Sequence, residues 1–371
     1  MKQSQQHKLL FLPFMQIASG HHQVAHSLMV DFQRQYETIR CDKVDLLSYS
    51  YGSLEKVVSS VYLAWIKYFP SSYHWLYHRS VYKNLTKRKR SMFYGSFFIY
   101  FFKRLIAEFN PDILICTHAL PSNVASRLKR NDQLDRIVIN VYTDYFVNRL
   151  WGLQGIDYHF APTTLVKNHL LEKGVPERSI IMTGIPVHPV FRTKSSQERR
   201  QINLSILVTG GNLGVGGMES ILANTQGHVH YYVLCGQNTA LYNQLLHNPR
   251  PHVTPFPYIK PREQMNQLYD QVDAVLTKPG GVTISECLMK RKPIFVYDPL
   301  PGQETINVEQ LLRLGLIMPV ASKNSFEQQI VDYFNNQKQQ VHYQQSIETY
   351  HRHLEKRPFK VVMDELLRIG Q

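Results

Sequence analysis

Short runs of β-branched and aromatic residues alternate with amphipathic stretches along most of the chain. The runs predict twelve strands, at 9–14, 43–47, 112–117, 136–142, 158–161, 179–183, 204–209, 229–235, 252–255, 274–277, 294–297 and 317–320. Helical spacing predicts intervening helices, at 24–35, 122–130, 164–172, 239–246, 262–269, 283–289 and 308–314. Such alternation is typical of parallel sheets covered by helices on both faces, and two series of it predict two Rossmann-like halves.

A polar segment separates the two series. Residues 192–201, RTKSSQERRQ, contain no apolar side chain and follow Pro186 and Pro189, as is typical of an interdomain linker. We therefore predict an α/β fold with one domain at 1–191 and a second at 202–340. C-terminal helices at 341–371 are expected to pack back on the first domain.

Ligands of open α/β sheets bind at the carboxyl ends of the strands, so chemistry is expected in the loops that follow them. The segment 277–286, TKPGGVTISE, is the strongest candidate because a predicted strand runs into a glycine pair and then a helix. Backbone N–H groups at such a helix start favour a phosphate. The glycine pair Gly280-Gly281 lets the backbone approach a ligand closely, and Glu286, one turn on, suits a ribose diol. The alternative is a plain strand–turn–helix with Glu286 placed for the helix dipole.

The next strand leads into a second polar loop, DPLPGQETIN at 298–307. Gln303, Glu304 and Asn307 combine hydrogen-bond donors and acceptors, as sugar hydroxyls require. The alternative is that Gln303 and Glu304 only cap the helix that begins there.

A glycine-rich segment, TGGNLGVGG at 209–217, also follows a strand. It does not match the GxGxxG dinucleotide pattern, so Gly210 and Gly211 are better candidates for a loop facing a diphosphate.

Two further residues are candidates for catalysis. His21 follows Gly20 at a predicted helix start, where the helix dipole disfavours imidazolium and keeps a general base neutral. Asp144 follows the fourth predicted strand; its alternative role is a turn or helix cap. For His22 and His26, surface or core roles are favoured.

Composition narrows the partner. The 371 residues carry 42 Lys and Arg against 28 Asp and Glu, a net charge of +14, which favours a nucleic acid, an acidic membrane or a phosphorylated small molecule. Residues 61–105 hold nine of the basic residues, no acidic residue and 15 of the 43 aromatic residues. This window predicts either an element lying on an anionic membrane or a solvated basic loop whose aromatic side chains enter the core.

The sequence lacks the signals of several other classes of protein. The four cysteines are widely spaced, with no zinc or disulfide pattern, which favours a reducing cytoplasm. No signal peptide is visible, and the longest apolar stretch, 92–102, is about half a membrane span. The chain has no GxSxG, Walker A, HExxH or EF-hand pattern. Of the nucleic-acid signatures it has only the basic patch.

Together these segments resemble the family of glycosyltransferases that build monogalactosyl- or glucosyl-diacylglycerol, classified as glycosyltransferase family 28. The matching segments are GHHQVA (20–25), YTDYFVNRLW (142–151), TGIPV (183–187), TKPGGVTISE (277–286) and PLPGQETIN (299–307).

The resemblance implies a GT-B fold, in which two Rossmann-like domains face each other across a cleft, and inverting transfer without a metal or cofactor. It implies that His21 is the base on the acceptor hydroxyl. In the donor half it assigns the diphosphate to Gly280, Gly281 and Thr283, the ribose to Glu286, and the hexose to Gln303 and Glu304. Lys278, beside the diphosphate loop, is expected to help stabilise the charge that develops there. The segment that contains Phe256, Tyr258 and Ile259 resembles the family segment whose backbone frames the uracil.

It also implies the partners: UDP-glucose or UDP-galactose as donor, diacylglycerol as acceptor, an anionic membrane contacted through 61–105, and no nucleic acid. The expected location is the cytoplasmic face of the cell membrane. Family members commonly have a His where this chain has Asn148, and often a third glycine where it has Asn212. Another acceptor, such as an undecaprenyl-linked intermediate or a hydrophobic small molecule, therefore stays open. A non-catalytic basic protein that binds membranes or nucleic acid is the alternative from another class.

Overall fold

The computed structural model describes residues 7–14, 20–37, 39–51, 91–193, 204–210, 218–223, 225–320, 326–356 and 362. The chain divides into two compact units. Unit 1 comprises residues 1–186 and 353–371, and unit 2 comprises residues 187–352.

Unit 1 is built on one sheet of six parallel strands in the order β2-β1-β3-β4-β5-β6. The strands are β1 (His7–Leu12), β2 (Ile39–Lys43), β3 (Ile113–Cys116), β4 (Ile137–Val141), β5 (Tyr158–Ala161) and β6 (Ile180–Met182). The described helices are Gly20–Gln35, Leu46–Tyr51, Ser91–Phe109, Ala119–Lys129 and Thr164–Glu172. Strands β3 and β5 are buried at every residue because both faces of the sheet are covered.

Unit 2 repeats the design with the order β12-β11-β10-β7-β8-β9, again all parallel. Its strands are β7 (Ser205–Thr209), β8 (His230–Leu234), β9 (Val253–Phe256), β10 (Ala274–Thr277), β11 (Ile294–Val296) and β12 (Met318–Pro319). Its described helices are Met218–Ala223, Thr239–His247, Arg262–Gln271, Gly281–Met289, Gln303–Arg313, Phe326–Asn335 and Gln337–His353. The prediction of two Rossmann-like halves is confirmed.

One predicted strand is wrong in position. The second strand is Ile39–Lys43, and a helix, Leu46–Tyr51, begins within the predicted 43–47 and takes its last two residues. Asp45 explains the difference, because its Oδ1 accepts hydrogen bonds from the backbone N–H groups of Leu47 (2.8 Å) and Ser48 (3.1 Å). A carboxylate that satisfies the first N–H groups of a helix ends the strand before it.

The C-terminal part of the chain contacts both units in turn. The helix Gln337–His353 packs on unit 2, where the Tyr343 hydroxyl donates to the carbonyl of Lys292 at 2.9 Å. After it the chain belongs to unit 1, where the Glu355 N–H donates to the Met182 carbonyl at 2.7 Å. Unit 2 begins at Val187, before the predicted linker. The predicted domain limits stay predictions, since residues 194–203 lie outside the described part of the chain.

Most of the basic and aromatic window 61–105 lies outside the described residues, including Lys87–Arg90. Within the helix Ser91–Phe109, Phe98 and Phe102 are buried in the core of unit 1, while Tyr100 is 64% exposed. These two phenylalanines therefore contribute to the core rather than to a membrane-facing surface.

Candidate active site

His21 lies where three segments of unit 1 meet. It is the second residue of the helix that follows β1, and its Nδ1 lies 2.8 Å from the carbonyl oxygen of Thr117, which follows β3. The same Nδ1 lies 3.0 Å from Oγ1 of Thr143, which follows β4. The Thr117 hydroxyl in turn donates to the His21 carbonyl at 3.2 Å. The carboxyl ends of neighbouring parallel strands thus converge on one imidazole.

This geometry decides the tautomer of His21. A carbonyl oxygen can only accept a hydrogen bond, so Nδ1 of His21 is protonated and donates to the Thr117 carbonyl. A neutral imidazole has one protonated nitrogen, so Nε2 holds the lone pair. The ring is set up to accept a proton at Nε2.

The charge state of His21 favours the same role. Burial, the largest effect, together with the neighbouring His22 lowers the pKa of His21, while Asp144 and the Thr117 carbonyl act in the opposite direction. The imidazole is therefore neutral at neutral pH. The half-buried Asp144 carboxylate favours the imidazolium form that proton transfer would create.

The other two histidines near this helix start have different surroundings. Nε2 of His22 lies 3.6 Å from a carboxylate oxygen of the buried Asp45, and His26 is exposed. This placement agrees with the sequence-based preference for His21.

Buried hydrogen bonds hold the loop that follows β4 and carries Thr143 and Asp144. At its far end the Gly152 carbonyl accepts from Nδ2 of Asn140 (2.7 Å) and from the Ser122 hydroxyl (3.1 Å). A Cβ added at Gly152 would lie 2.4 Å from Cβ of Ser126, so any other residue there would force its neighbours to shift. Sequence reasoning missed Thr117 and these anchors; for Thr117, its place at the end of a predicted strand was the available signal.

In unit 2, the candidate donor loop has the predicted form. Strand β10 ends at Thr277, and Lys278 after it is buried. The N-cap of the helix Gly281–Met289 is Gly280, which has no side chain to cap the first N–H groups. The N–H groups of a first helical turn lack intrahelical partners, which suits them to an anion. A Cβ built on Gly280 meets no atom within 4 Å, so the loop is open at this point.

Asn307 joins the two candidate donor segments. It is buried in the helix Gln303–Arg313, and its Nδ2 donates to the carbonyl of Pro279 at 3.2 Å. Gln303 is half-buried at the start of the same helix. Glu304, in the first turn, accepts a hydrogen bond at 2.7 Å from the N–H of Leu300, which lies in the loop before the helix. Its predicted contact with the hexose stays a prediction.

Glu286 is buried, and its neighbours come from a different helix. Its Oε2 accepts a hydrogen bond from the Tyr269 hydroxyl at 2.9 Å, and its Oε1 lies 3.5 Å from the Arg262 guanidinium. Burial raises the pKa of Glu286, although Arg262 and the Tyr269 hydroxyl oppose the rise. A role of this carboxylate on a ribose stays a prediction.

The remaining predicted donor residues follow β7 and β9. Gly210 is half-buried directly after β7, and Gly211 lies outside the described residues. Phe256 ends β9 and is half-buried, as is Ile259, while Tyr258 is 41% exposed. The proposed uracil contacts stay predictions.

The residues that the structure describes contain no group of three or more His, Cys, Asp or Glu side chains arranged to hold a metal ion. Among the helices described, none has the length and apolarity needed to span a bilayer.

Comparison with known proteins agrees with this architecture. The crystal structure of MurG from Acinetobacter baumannii superposes with a TM-score of 0.60 at 13% identity, covering 98% of this chain and 99% of that one. The glycosyltransferase YkoN of Bacillus subtilis is 38% identical over 364 residues, 97% of each protein. With two all-parallel α/β units and these relatives, the chain is a glycosyltransferase of the GT-B fold.

The family follows from the sequence matches. Residues 21–187 match the monogalactosyldiacylglycerol (MGDG) synthase family. A processive diacylglycerol beta-glucosyltransferase of Bacillus cereus is 27% identical over 309 residues, 80% of this chain and 78% of that protein. The chain belongs to the monogalactosyldiacylglycerol synthase family of glycosyltransferases, and the resemblance inferred from its motifs is confirmed.

Proposed function

We propose that this glycosyltransferase moves a hexose from UDP-glucose or UDP-galactose to diacylglycerol, with inversion, at the cytoplasmic face of the cell membrane. The observation that carries the proposal is the fixed tautomer of His21, whose Nδ1–H is held by the Thr117 carbonyl at 2.8 Å. A base with its lone pair on Nε2 suits an acceptor hydroxyl, which must lose a proton as it attacks. The family and the Bacillus cereus relative support diacylglycerol as the acceptor.

In the proposed reaction, the acceptor oxygen forms a bond to C1 of the hexose while the bond from C1 to the β-phosphate oxygen breaks. The hydroxyl proton passes to Nε2 of His21, and UDP leaves with the bonding electron pair. Asp144 stabilises the imidazolium that results, because its carboxylate favours the protonated form of His21.

Unit 2 supplies the donor site in this proposal. The first turn of the helix Gly281–Met289 directs backbone N–H groups toward the diphosphate, where negative charge accumulates as UDP departs. Glu286 is assigned to the ribose, and Gln303 and Glu304 to the hexose. These assignments rest on the motif resemblance and on the open space around Gly280.

Membrane attachment is assigned to the basic and aromatic window 61–105. An acceptor with two acyl chains resides in the bilayer, so the enzyme must reach the membrane surface. Each Lys or Arg close to an anionic membrane contributes about 1 kcal/mol.

Asn148 favours a second candidate acceptor. Its Oδ1 accepts the Leu150 N–H at 2.9 Å and so stabilises a turn at a position where family members commonly have a histidine. A different side chain beside the candidate acceptor loop is consistent with another lipid acceptor, such as an undecaprenyl-linked intermediate.

The test is a lipid-product assay with the full chain and anionic vesicles that contain diacylglycerol. Radiolabelled UDP-glucose and UDP-galactose are supplied separately, and glycolipid and released UDP are measured. We expect a β-linked hexosyl-diacylglycerol from one donor. Product only with a total lipid extract would favour the second acceptor, and UDP release without any lipid product would refute both.

The matched pair His21→Gln and His26→Gln tests the base. General base catalysis contributes about 10²- to 10⁴-fold, so His21→Gln is expected to lower kcat by that factor. His26, exposed on the same helix, serves as the control, and its replacement should leave kcat unchanged. Full activity of His21→Gln would refute the base assignment.

A further inference from the structure

A second histidine, His118, contacts the candidate base. It follows Thr117, the residue whose carbonyl holds Nδ1 of His21. Its ring stands edge-on to the His21 ring, with the centroids 4.8 Å apart and the planes at 88°. No role was assigned to His118 from the sequence.

The tautomer of His118 is set by a helix. His118 is the N-cap of the helix Ala119–Lys129, and its Nδ1 accepts a hydrogen bond from the Leu120 N–H at 3.1 Å. Because a backbone N–H only donates, Nδ1 of His118 holds a lone pair and the ring proton lies on Nε2. Protonation at Nδ1 would break the cap, and burial, together with His21, holds the pKa of His118 well below its ordinary value. His118 is therefore a permanently neutral ring at physiological pH.

The His118 ring is also fixed in orientation. Phe14, just beyond β1, stacks on it with a centroid distance of 4.4 Å and an interplanar angle of 11°. With one face against Phe14 and Nδ1 bonded to the helix, the ring cannot turn without losing a contact. It forms a wall on one side of the His21 ring.

Among the described residues, the groups that face His21 come from several neighbouring elements. They are the Thr117 carbonyl, Oγ1 of Thr143, the Asp144 carboxylate, the adjacent His22 and the His118 ring. The two hydrogen-bonded oxygens hold Nδ1, while His118 contacts the ring itself. The hydrogen bonds therefore choose the tautomer, and the ring contact restricts the tilt and the solvation of the imidazole.

We propose that His118 is a positioning residue for the transfer reaction: its capped, Phe14-stacked ring holds His21 neutral and correctly oriented for the acceptor hydroxyl. This inference rests on the proposed role of His21 as the base. A base displaced by about 1 Å can lose about a hundredfold in rate, so such a wall has a measurable effect.

Two substitutions separate the ring from the cap. His118→Asn keeps an oxygen that can cap the helix but removes the aromatic wall. His118→Phe keeps an aromatic wall but removes the cap acceptor. The protonation of the His21 imidazole is followed by NMR titration of the ligand-free protein, and the pH dependence of kcat/KM is measured in the lipid-product assay.

We expect His118→Asn to shift the His21 titration and the acidic limb of kcat/KM to higher pH, because water regains access to the ring. Its kcat should fall about 10- to 100-fold. His118→Phe should keep the wild-type His21 titration while its thermal unfolding midpoint falls with the lost cap.

An unchanged His21 titration in His118→Asn would overturn the inference whatever the activity. Equal shifts in both variants would also overturn it, since a lost cap alone would then explain them. If the His21 titration shifts as expected but His21→Gln retains activity, the base assignment fails while the contact between the two rings stands. The two failures are therefore distinguishable.

Discussion

The two candidate substrate sites both lie in loops that follow parallel strands, but one relies on a side chain and the other on backbone groups. In unit 1, the chemistry is carried by one side chain, His21, which oxygens of Thr117 and Thr143 hold. In unit 2, the chemistry assigned to the loop after β10 belongs to the backbone, at a helix start whose N-cap is Gly280. A side-chain site depends on partners distant in sequence, whereas a backbone site is complete within a few residues.

Two glycines make the contrast concrete. Gly152 closes the loop of unit 1 and is surrounded by Ser122 and Ser126, so its missing Cβ serves packing. Gly280 of unit 2 has no atom within 4 Å of where a Cβ would be, so packing does not explain it. The proposed close approach of a diphosphate to the backbone would explain a glycine here.

Of the substitutions that test this contrast between the two sites, Gly280→Ala is expected to have the largest effect. The extra methyl would stand between the backbone and the diphosphate, and we expect KM for the UDP-sugar to rise about 10- to 100-fold, or about 1.4 to 2.8 kcal/mol. The thermal unfolding midpoint should not change, because the added atom meets no protein atom. An unchanged KM would identify the glycine pair as a plain turn.

Gly152→Ala should do the reverse. Its Cβ would approach Ser126 Cβ to 2.4 Å and the Ser122 carbonyl oxygen to 2.5 Å, and overpacking of this kind costs about 1–3 kcal/mol. The loss is measured as the free energy of unfolding in urea. If Gly152→Ala has the same unfolding free energy as the wild type, the loop adjusts easily and is not a rigid support for Thr143 and Asp144.

Tyr269→Phe tests whether Glu286 depends on its buried partner. The variant removes the hydroxyl that donates to Glu286 at 2.9 Å and should cost about 1–3 kcal/mol of stability. A double-mutant cycle with Glu286→Gln isolates the interaction, and additive losses would mean that the two side chains are not coupled.

The smallest expected effects are the pH dependences of stability, which should have opposite signs in the two units. Burial lowers the pKa of His21, so above its ordinary value of 6.5 the ring is neutral in both states. As the pH falls below about 6.5 the unfolded chain takes up the proton first, and stability is lost. Burial raises the pKa of Glu286, so stability falls as the pH rises from the ordinary value of 4.5 toward the raised folded value.

These slopes are measured as the unfolding free energy of the wild type minus that of His21→Gln or Glu286→Gln across the acidic range. The unfolding free energy of the wild type relative to His21→Gln should decrease toward low pH. Its unfolding free energy relative to Glu286→Gln should decrease toward high pH. The same sign for both would contradict the contrast between the sites.

Much of the fold was predictable because its signals are local. The strands Tyr158–Ala161 and Ala274–Thr277 and the helix Thr164–Glu172 match the predicted bounds, since apolar runs and caps mark them within the segment itself. The prediction at 43–47 was wrong because apolar residues there belong to a helix that Asp45 begins. A capping carboxylate next to an apolar run leaves the choice between strand and helix to packing.

The sequence by itself determined the two parallel sheets and the family, and it predicted a candidate backbone site after β10, because periodicity, glycines and helix starts act over a few residues. Only the tertiary structure decided which nitrogen of His21 holds the lone pair, since Thr117 and Thr143 lie 96 and 122 residues away. It likewise placed Tyr269 on Glu286 and the His118 ring beside His21. The physical reason is that proton positions and pKa values depend on burial and on hydrogen bonds to distant residues, which no local pattern encodes.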